Sequence, residues 1–199
     1  MSDPKTLLQM AGAPLDAPSL SDSVLVIIDA QNEYVSGAVP LVGVDQALGE
    51  LKSLLGRVRA AGAPVIHIAH KGAPGGVFDR DAHNGQIINV VSPAGNEAVI
   101  EKALPNAFQG TDLHDQIRAT GKATVIFAGF MSHMCVSSTM RVALDLGLSS
   151  AVAASACTTR DLPDGQGGVV PAAELHRAAM TALSDRFGIV VHNVGDFPD

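Results

Sequence analysis

Residues 124–140 read TVIFAGFMSHMCVSSTM, and this stretch decides the fold. Thr124 to Ala128 form an apolar, β-branched run, which predicts a strand buried on both faces of a parallel sheet. Gly129 is expected to end it. From about Ser132, Met134, Val136, Met140 and Leu144 recur at helical spacing with polar residues between them. A strand thus passes through a tight turn into a helix, with Cys135 in the helix's first turn. Backbone N–H groups there lack intrahelical partners and the helix dipole is positive. Such a position favours the thiolate, the nucleophilic form of cysteine. The plain alternative is a buried free cysteine that acts as a small hydrophobe.

Working outward, 24–28, 65–69, 98–101, 151–154 and 189–191 read as five more strands, most of them apolar throughout. Helices are predicted over 45–61, from Thr111 or Asp112 to 119, and over 172–186, the last opened by Pro171. Six strands alternating with helices imply an α/β fold, a three-layer Rossmann-like arrangement with a mainly parallel six-stranded sheet flanked by helices. Residues 1–23 read as an N-terminal arm with one amphipathic turn (Leu7, Leu8, Met10), and 24–199 as a single domain. Two stretches, 71–95 and 157–170, carry little periodicity and read as loops of the kind that bind ligands.

A net charge of −7 excludes the basic faces that nucleic acid or an anionic membrane would need. Two cysteines, Cys135 and Cys157, are too few for a disulfide framework and imply a reducing compartment. The N-terminal MSDPKTLLQMAGAP lacks the basic start and long apolar core of a signal peptide, and no apolar run approaches a membrane span. The expected location is the cytoplasm.

In open α/β sheets the site lies beyond the carboxyl ends of the strands. Three strand ends carry capable side chains: Asp29, Lys102 and Cys135. Singly, Asp29 is open to reading as a turn residue and Lys102 as a solvated lysine; together, at one sheet edge, they make a constellation. His67 and His70 point to opposite strand faces and make a poor metal pair; one reads as a core histidine and the other as a strand-end polar residue. His133 lies too close in sequence to face Cys135 across a helix and reads as pocket lining. KGAPGG (71–76) lacks a phosphate-loop pattern, and Cys157 reads as structural.

VLVIIDAQNEY, IEKALPNAF and AGFMSHMCVSST together closely resemble the isochorismatase-like hydrolase superfamily, in its cysteine-hydrolase (amidase) branch. The resemblance extends over about residues 22–197. It implies a catalytic Asp29, a catalytic Lys102 and Cys135 as nucleophile, with a cis peptide at Phe130–Met131 and an oxyanion hole from the Met131 and Cys135 N–H groups. It also implies pocket positions at Gln31 and Phe108, to which Phe130 and His133 are added. Asn106 departs from the family's frequent Ser, and the nicotinamidase Asp-x-His motif is missing, so neither metal nor other cofactor is expected. The implied activity is C–N hydrolysis of a small amide or ureide through a Cys thioester, in a homo-oligomer (dimer or tetramer) with no nucleic-acid or membrane partner. The alternatives are vinyl-ether hydrolysis of the isochorismatase type and a non-catalytic protein that binds a small molecule or a partner.

Overall fold

The computed structural model describes residues 3–199. Its strands, in chain order, are β1 (Ser23–Ile28), β2 (Val65–His70), β3 (Ala98–Lys102), β4 (Thr124–Phe130), β5 (Ser149–Thr158), β6 (Leu162–Pro163), β7 (Val169–Val170) and β8 (Ile189–Val191). Six of them form one sheet in the order β3-β2-β1-β4-β5-β8, with every neighbouring pair parallel. β1 lies inside the sheet and all its residues are buried, as its continuous apolar sequence requires.

The helices are α1 (Leu7–Met10), α2 (Val44–Ala60), α3 (Leu113–Ala119), α4 (Ser137–Asp145) and α5 (Ala172–Arg186). α2 places Leu48, Leu51, Leu54, Leu55 and Val58 against one face of the sheet, where Leu25 and Ile27 meet them. α3, α4 and α5 cover the opposite face, packing on Val24, Val26 and Ile28 through residues such as Leu113, Met140 and Leu183. Side chains alternate faces along β1, so one strand feeds both cores. The arm is tied to the body: a capping box between Thr6 and Gln9 closes α1, and the Leu7 N–H donates to Asp185 of α5 (2.8 Å).

The chain runs outward from β1 to β3, then returns to place β4 on the other flank of β1. A crevice therefore opens at the carboxyl ends of β1 and β4, the topological switch point.

The structure departs from the sequence reading at four places. β4 does not stop at Gly129, which still pairs with β1 and β5, but continues to Phe130, paired with β5. β5 is ten residues long, not four, and bulges: Val152 faces Phe127, whereas Cys157 faces Gly129. The stretch 157–170 is not a plain loop, since its first residues belong to β5 and β6 pairs with β7 as a small hairpin. Before α4, Ser132–Val136 forms a π-turn, in which the Val136 N–H reaches back to the Met131 carbonyl (3.2 Å). A π-turn shifts the helical phase, so Met134 is exposed and the buried stripe runs through Val136, Thr139, Met140 and Ala143.

Gly129 is required by its surroundings. Its φ of 110° lies outside the range of other L-residues, and a Cβ would stand 2.1 Å from the Ile28 carbonyl oxygen. Gly129→Ala should therefore force β1 and β4 apart beside the crevice. We expect a loss of at least ~3 kcal/mol in urea unfolding; wild-type stability would mean that the strands can part without cost.

The distal end of the 71–95 segment is anchored by Glu97, which receives two hydrogen bonds from Arg59 (2.8 Å each), one from the Ala94 N–H (2.9 Å) and one from buried His67 (2.9 Å). Burial holds His67 below its ordinary range, so it donates as a neutral ring. Burial also pushes Glu97 up, but the bonds from Arg59, Ala94 and His67 outweigh it and bring the carboxyl down from 4.5 to about 2. A folded pKa below the unfolded one adds stability that is present above the unfolded value and disappears as pH falls towards about 2. Glu97→Gln should flatten the fall in urea midpoint between roughly pH 5 and 3. Parallel wild-type and variant curves would show that this anchor carries no acid-sensitive stability.

Candidate active site

β3 is an edge strand whose burial alternates, with Ile100 and Lys102 inward and Val99 and Glu101 outward. The pleat thus sends Lys102 into the interior while Glu101 pairs outside with Lys71 (2.8 Å) and Arg80 (3.2 Å). Asp29 ends β1 at a positive φ of 49°, a conformation that Asp tolerates better than most residues. Cys135 is held in the π-turn after β4. The side chains of Asp29 and Lys102 are fully buried, and Cys135 is 4% exposed.

These three residues meet. Lys102 Nζ lies 2.7 Å from Asp29 Oδ2 and donates to Cys135 Sγ at 3.3 Å. Asp29 thus has both the Lys102 ammonium and the Cys135 thiol as polar neighbours. The thiol proton of Cys135 faces the Asp29 carboxyl group.

A fourth group completes the environment of the ammonium. His70, paired with Lys102 in the β2–β3 register, brings Nδ1 to 3.3 Å from Lys102 Nζ. An ammonium only donates, so Nδ1 is the acceptor and the ring proton sits on Nε2. Burial, reinforced by the charge of Lys102, holds His70 below its ordinary range, so it stays neutral.

Sequence reading missed this role for His70. The strand order is the signal that would have found it: β2 lies between β3 and β1, so whatever ends β2 sits beneath a lysine reaching across.

Gln31 is fully buried, and its amide is committed to backbone. It donates to the carbonyls of His70 (2.9 Å) and Gly85 (2.7 Å) and accepts from the His70 N–H (2.8 Å). It is a clamp on the end of β2 and the 71–95 segment, with no polar atom left for a pocket. Phe130 is fully buried and packs edge-on against Tyr34 (5.8 Å), which meets Phe78 (5.1 Å) in the same way. Phe78 in turn packs against His70 (5.2 Å). Phe108 is half-buried beside His114 (6.4 Å) and leans on the core beneath α3 and α4. His133 is half-buried, with Nδ1 2.5 Å from Thr159 Oγ1. The peptide bond Phe130–Met131 is cis, and among the described residues no acceptor takes the Met131 N–H.

Burial pushes the Cys135 thiol up to about 12; the charge of Asp29 adds to this and Lys102 opposes it. Desolvation and the adjacent Asp29 thus oppose the thiolate that the helix start favours. Asp29 is itself raised by burial, with Lys102 and the thiol pulling the other way. The thiol thus lies beside Asp29, with the single cation Lys102 in contact with both. Among the described residues, no three of His, Cys, Asp and Glu converge as a metal-ligand set. A surface cavity of about 420 Å³, lined by Lys71, Glu101, Leu104 and Gln109 among others, reaches Lys102 from outside.

A parallel sheet with an acid, an amine and a thiol gathered at its switch point defines a class, the α/β enzymes with a cysteine at the carboxyl edge. Comparison with known proteins is more specific. The isochorismatase domain model matches residues 23–193. A secreted isochorismatase effector of Verticillium dahliae is 36% identical over 185 residues, covering 92% of this chain and 94% of that protein. Streptothricin hydrolase of Streptomyces noursei is 35% identical over 182 residues, 90% of this chain and 72% of its own. The crystal structure of an isochorismatase from Pseudomonas putida superposes with a TM-score of 0.93 at 39% identity, covering 98% of this chain and all of that one. The chain belongs to the isochorismatase family of hydrolases.

Thiol reactivity tests the coupling within the cluster. The rate of Cys135 alkylation should keep rising with pH to the limit of the accessible range, since burial pushes the thiol up to about 12. Lys102→Met removes the one charge that lowers that pKa, so alkylation should slow about ten-fold or more at every pH, with buried Cys157 as internal reference. A plateau below pH ~9, or superimposable wild-type and variant profiles, would contradict the geometry.

Proposed function

We propose that this hydrolase cleaves the C–N bond of a small amide or ureide through a thioester on Cys135, with Asp29 as proton carrier and Lys102 as the fixed cation between them. The observation that carries this reading is the placement of one buried ammonium within reach of both Asp29 Oδ2 and Cys135 Sγ (2.7 and 3.3 Å). Similarity to a streptothricin hydrolase supports amide-type chemistry.

The raised thiol pKa sets the order of events. The S–H proton passes to Asp29 as sulfur attacks the carbonyl carbon, so a free thiolate never accumulates. The oxyanion faces the N–H groups of Met131 and Cys135, the kind of fixed donor pair that lowers such barriers most. When the C–N bond breaks, Asp29 returns the proton to the departing nitrogen. A water then attacks the thioester, giving its proton to Asp29, and the acid leaves as the thiol is reprotonated. Amide and water are consumed; acid and amine or ammonia are formed. His70 acts on Lys102 alone: as a neutral acceptor it fixes the ammonium without competing for its charge. Chemistry of this kind needs Cys135 kept reduced, which suits a cytoplasmic setting.

A panel of small amides and ureides, assayed for ammonia release, identifies the active compound. Cys135→Ala should then lower turnover at least ~10³-fold while the fold is retained. Mass spectrometry of rapidly quenched wild-type enzyme should find the acyl group on the tryptic peptide containing Cys135. Residual activity within tenfold of wild type would remove Cys135 as the nucleophile.

A further inference from the structure

Hydrolysis of the thioester consumes a water, and none of the side chains assigned above aims it. Tyr34 stands where that task falls. It closes the short turn Asn32–Tyr34, just past Asp29 and Gln31, and its backbone is tied on both sides. Its N–H donates to the Gln31 carbonyl (3.1 Å), and its carbonyl accepts from the Leu41 N–H (3.0 Å). The ring is fixed edge-on between Phe78 (5.1 Å) and Phe130 (5.8 Å). Phe130 directly precedes Met131, and Phe78 packs on His70 (5.2 Å), which touches Lys102 (3.3 Å). The tyrosine thus abuts the neighbours of both the oxyanion donor and the buried cation.

A phenylalanine would fill this wall equally well. The hydroxyl is what tyrosine adds, and the residue that carries it is 2% exposed. The polar side chains of the same turn are committed elsewhere. Gln31 holds His70 and Gly85, Asn32 donates to the His83 carbonyl, and Glu33 accepts from the N–H groups of Ala38 and Phe78; among the described residues none bonds the phenol. A desolvated hydroxyl without a partner is costly. Burial raises its pKa, and the charges of Asp29 and Cys135 raise it further. The hydroxyl therefore keeps its proton and feels the two groups between which the reaction moves one.

We propose that Tyr34 orients the water that hydrolyses the thioester, its O–H donating to one lone pair of that water while Asp29 accepts one of its protons. The second lone pair is thereby aimed at the thioester carbon. A C–O bond forms as the C–S bond breaks; the proton of the water passes to Asp29 and from there to sulfur, and Tyr34 keeps its own. A water held in a buried site needs polar partners on more than one side, and Asp29 and Tyr34 provide them. The proposal rests on the thioester at Cys135 and is independent of which compound forms it.

An activated ester tests the step without a known substrate. p-Nitrophenyl acetate gives its acetyl group to the Cys135 sulfur with loss of p-nitrophenolate. Peptide mass spectrometry follows the acetyl group at Cys135 as it arrives and, once excess reagent is removed, as it leaves. Tyr34→Phe keeps the ring between Phe78 and Phe130 and removes only the hydroxyl. The variant should take up acetyl, and react with iodoacetamide at Cys135, within about twofold of the wild-type rates, yet lose acetyl about tenfold or more slowly. A merely structural part in the wall would slow uptake and loss together. That result overturns the inference, and so does an unchanged rate of loss in the variant. If no acetyl is found on Cys135, the thioester reading falls and the role of Tyr34 with it. If uptake and loss separate as expected but no amide or ureide is hydrolysed, the C–N reading fails and the role of Tyr34 stands.

Discussion

A lysine ammonium without access to water is the constraint around which this molecule is arranged. Taking Lys102 and Asp29 out of solvent costs several kcal/mol for each ion, and only close pairing offsets it. The pairing is supplied by Asp29 at 2.7 Å, with Cys135 and His70 each at 3.3 Å. Each partner arrives from a different strand end: Asp29 from β1, His70 from β2, Lys102 from β3 and Cys135 from the turn after β4. The sheet order that opens the crevice also brings these groups together, so fold stability and site geometry rest on the same contacts.

The second layer keeps that arrangement fixed. Gln31, two residues past Asp29, grips both backbone groups of His70 and the carbonyl of Gly85. A movement of the 71–95 segment is thereby felt at the base of the site through one side-chain amide. Glu33, also buried, accepts from the N–H groups of Ala38 (2.5 Å) and Phe78 (3.2 Å) and so holds the aromatic wall of Tyr34, Phe78 and His70 in register. The long segment without regular structure is therefore a tightly tied one.

The six strands were legible because most are apolar runs closed by Gly, Pro or a charged residue, and so were Asp29, Lys102 and Cys135 as residues at or just past strand ends. What escaped has physical causes. The bulge in β5 was hidden in AVAASAC, where small residues fit any register. The phase of α4 was misread because a π-turn leaves no composition signal. The surroundings of the thiol were only half legible, because position on a helix is visible in sequence whereas burial beside Asp29 is not. His70 and Gln31 were weighed as single residues; their roles emerge only from which strands are neighbours. In SACTTRD the cysteine is the conspicuous residue, but Thr159 is the one that meets His133.

The reach of Lys102 has an evolutionary consequence. Adjacent strands are about 4.8 Å apart, so β3 and β1, with β2 between them, are separated by roughly 10 Å. That gap is set by backbone hydrogen bonds and is indifferent to side-chain change. A lysine stem bridges it; no shorter cationic side chain does, and a strand inserted between β3 and β1 would strand the charge. The centre of the molecule is thus fixed by the ruler of the sheet, whereas the segments beyond the strand ends are free of it. Descendants of such a chain can change sequence in segments past the strand ends, such as 159–170, while the spacing of the sheet stays as it is.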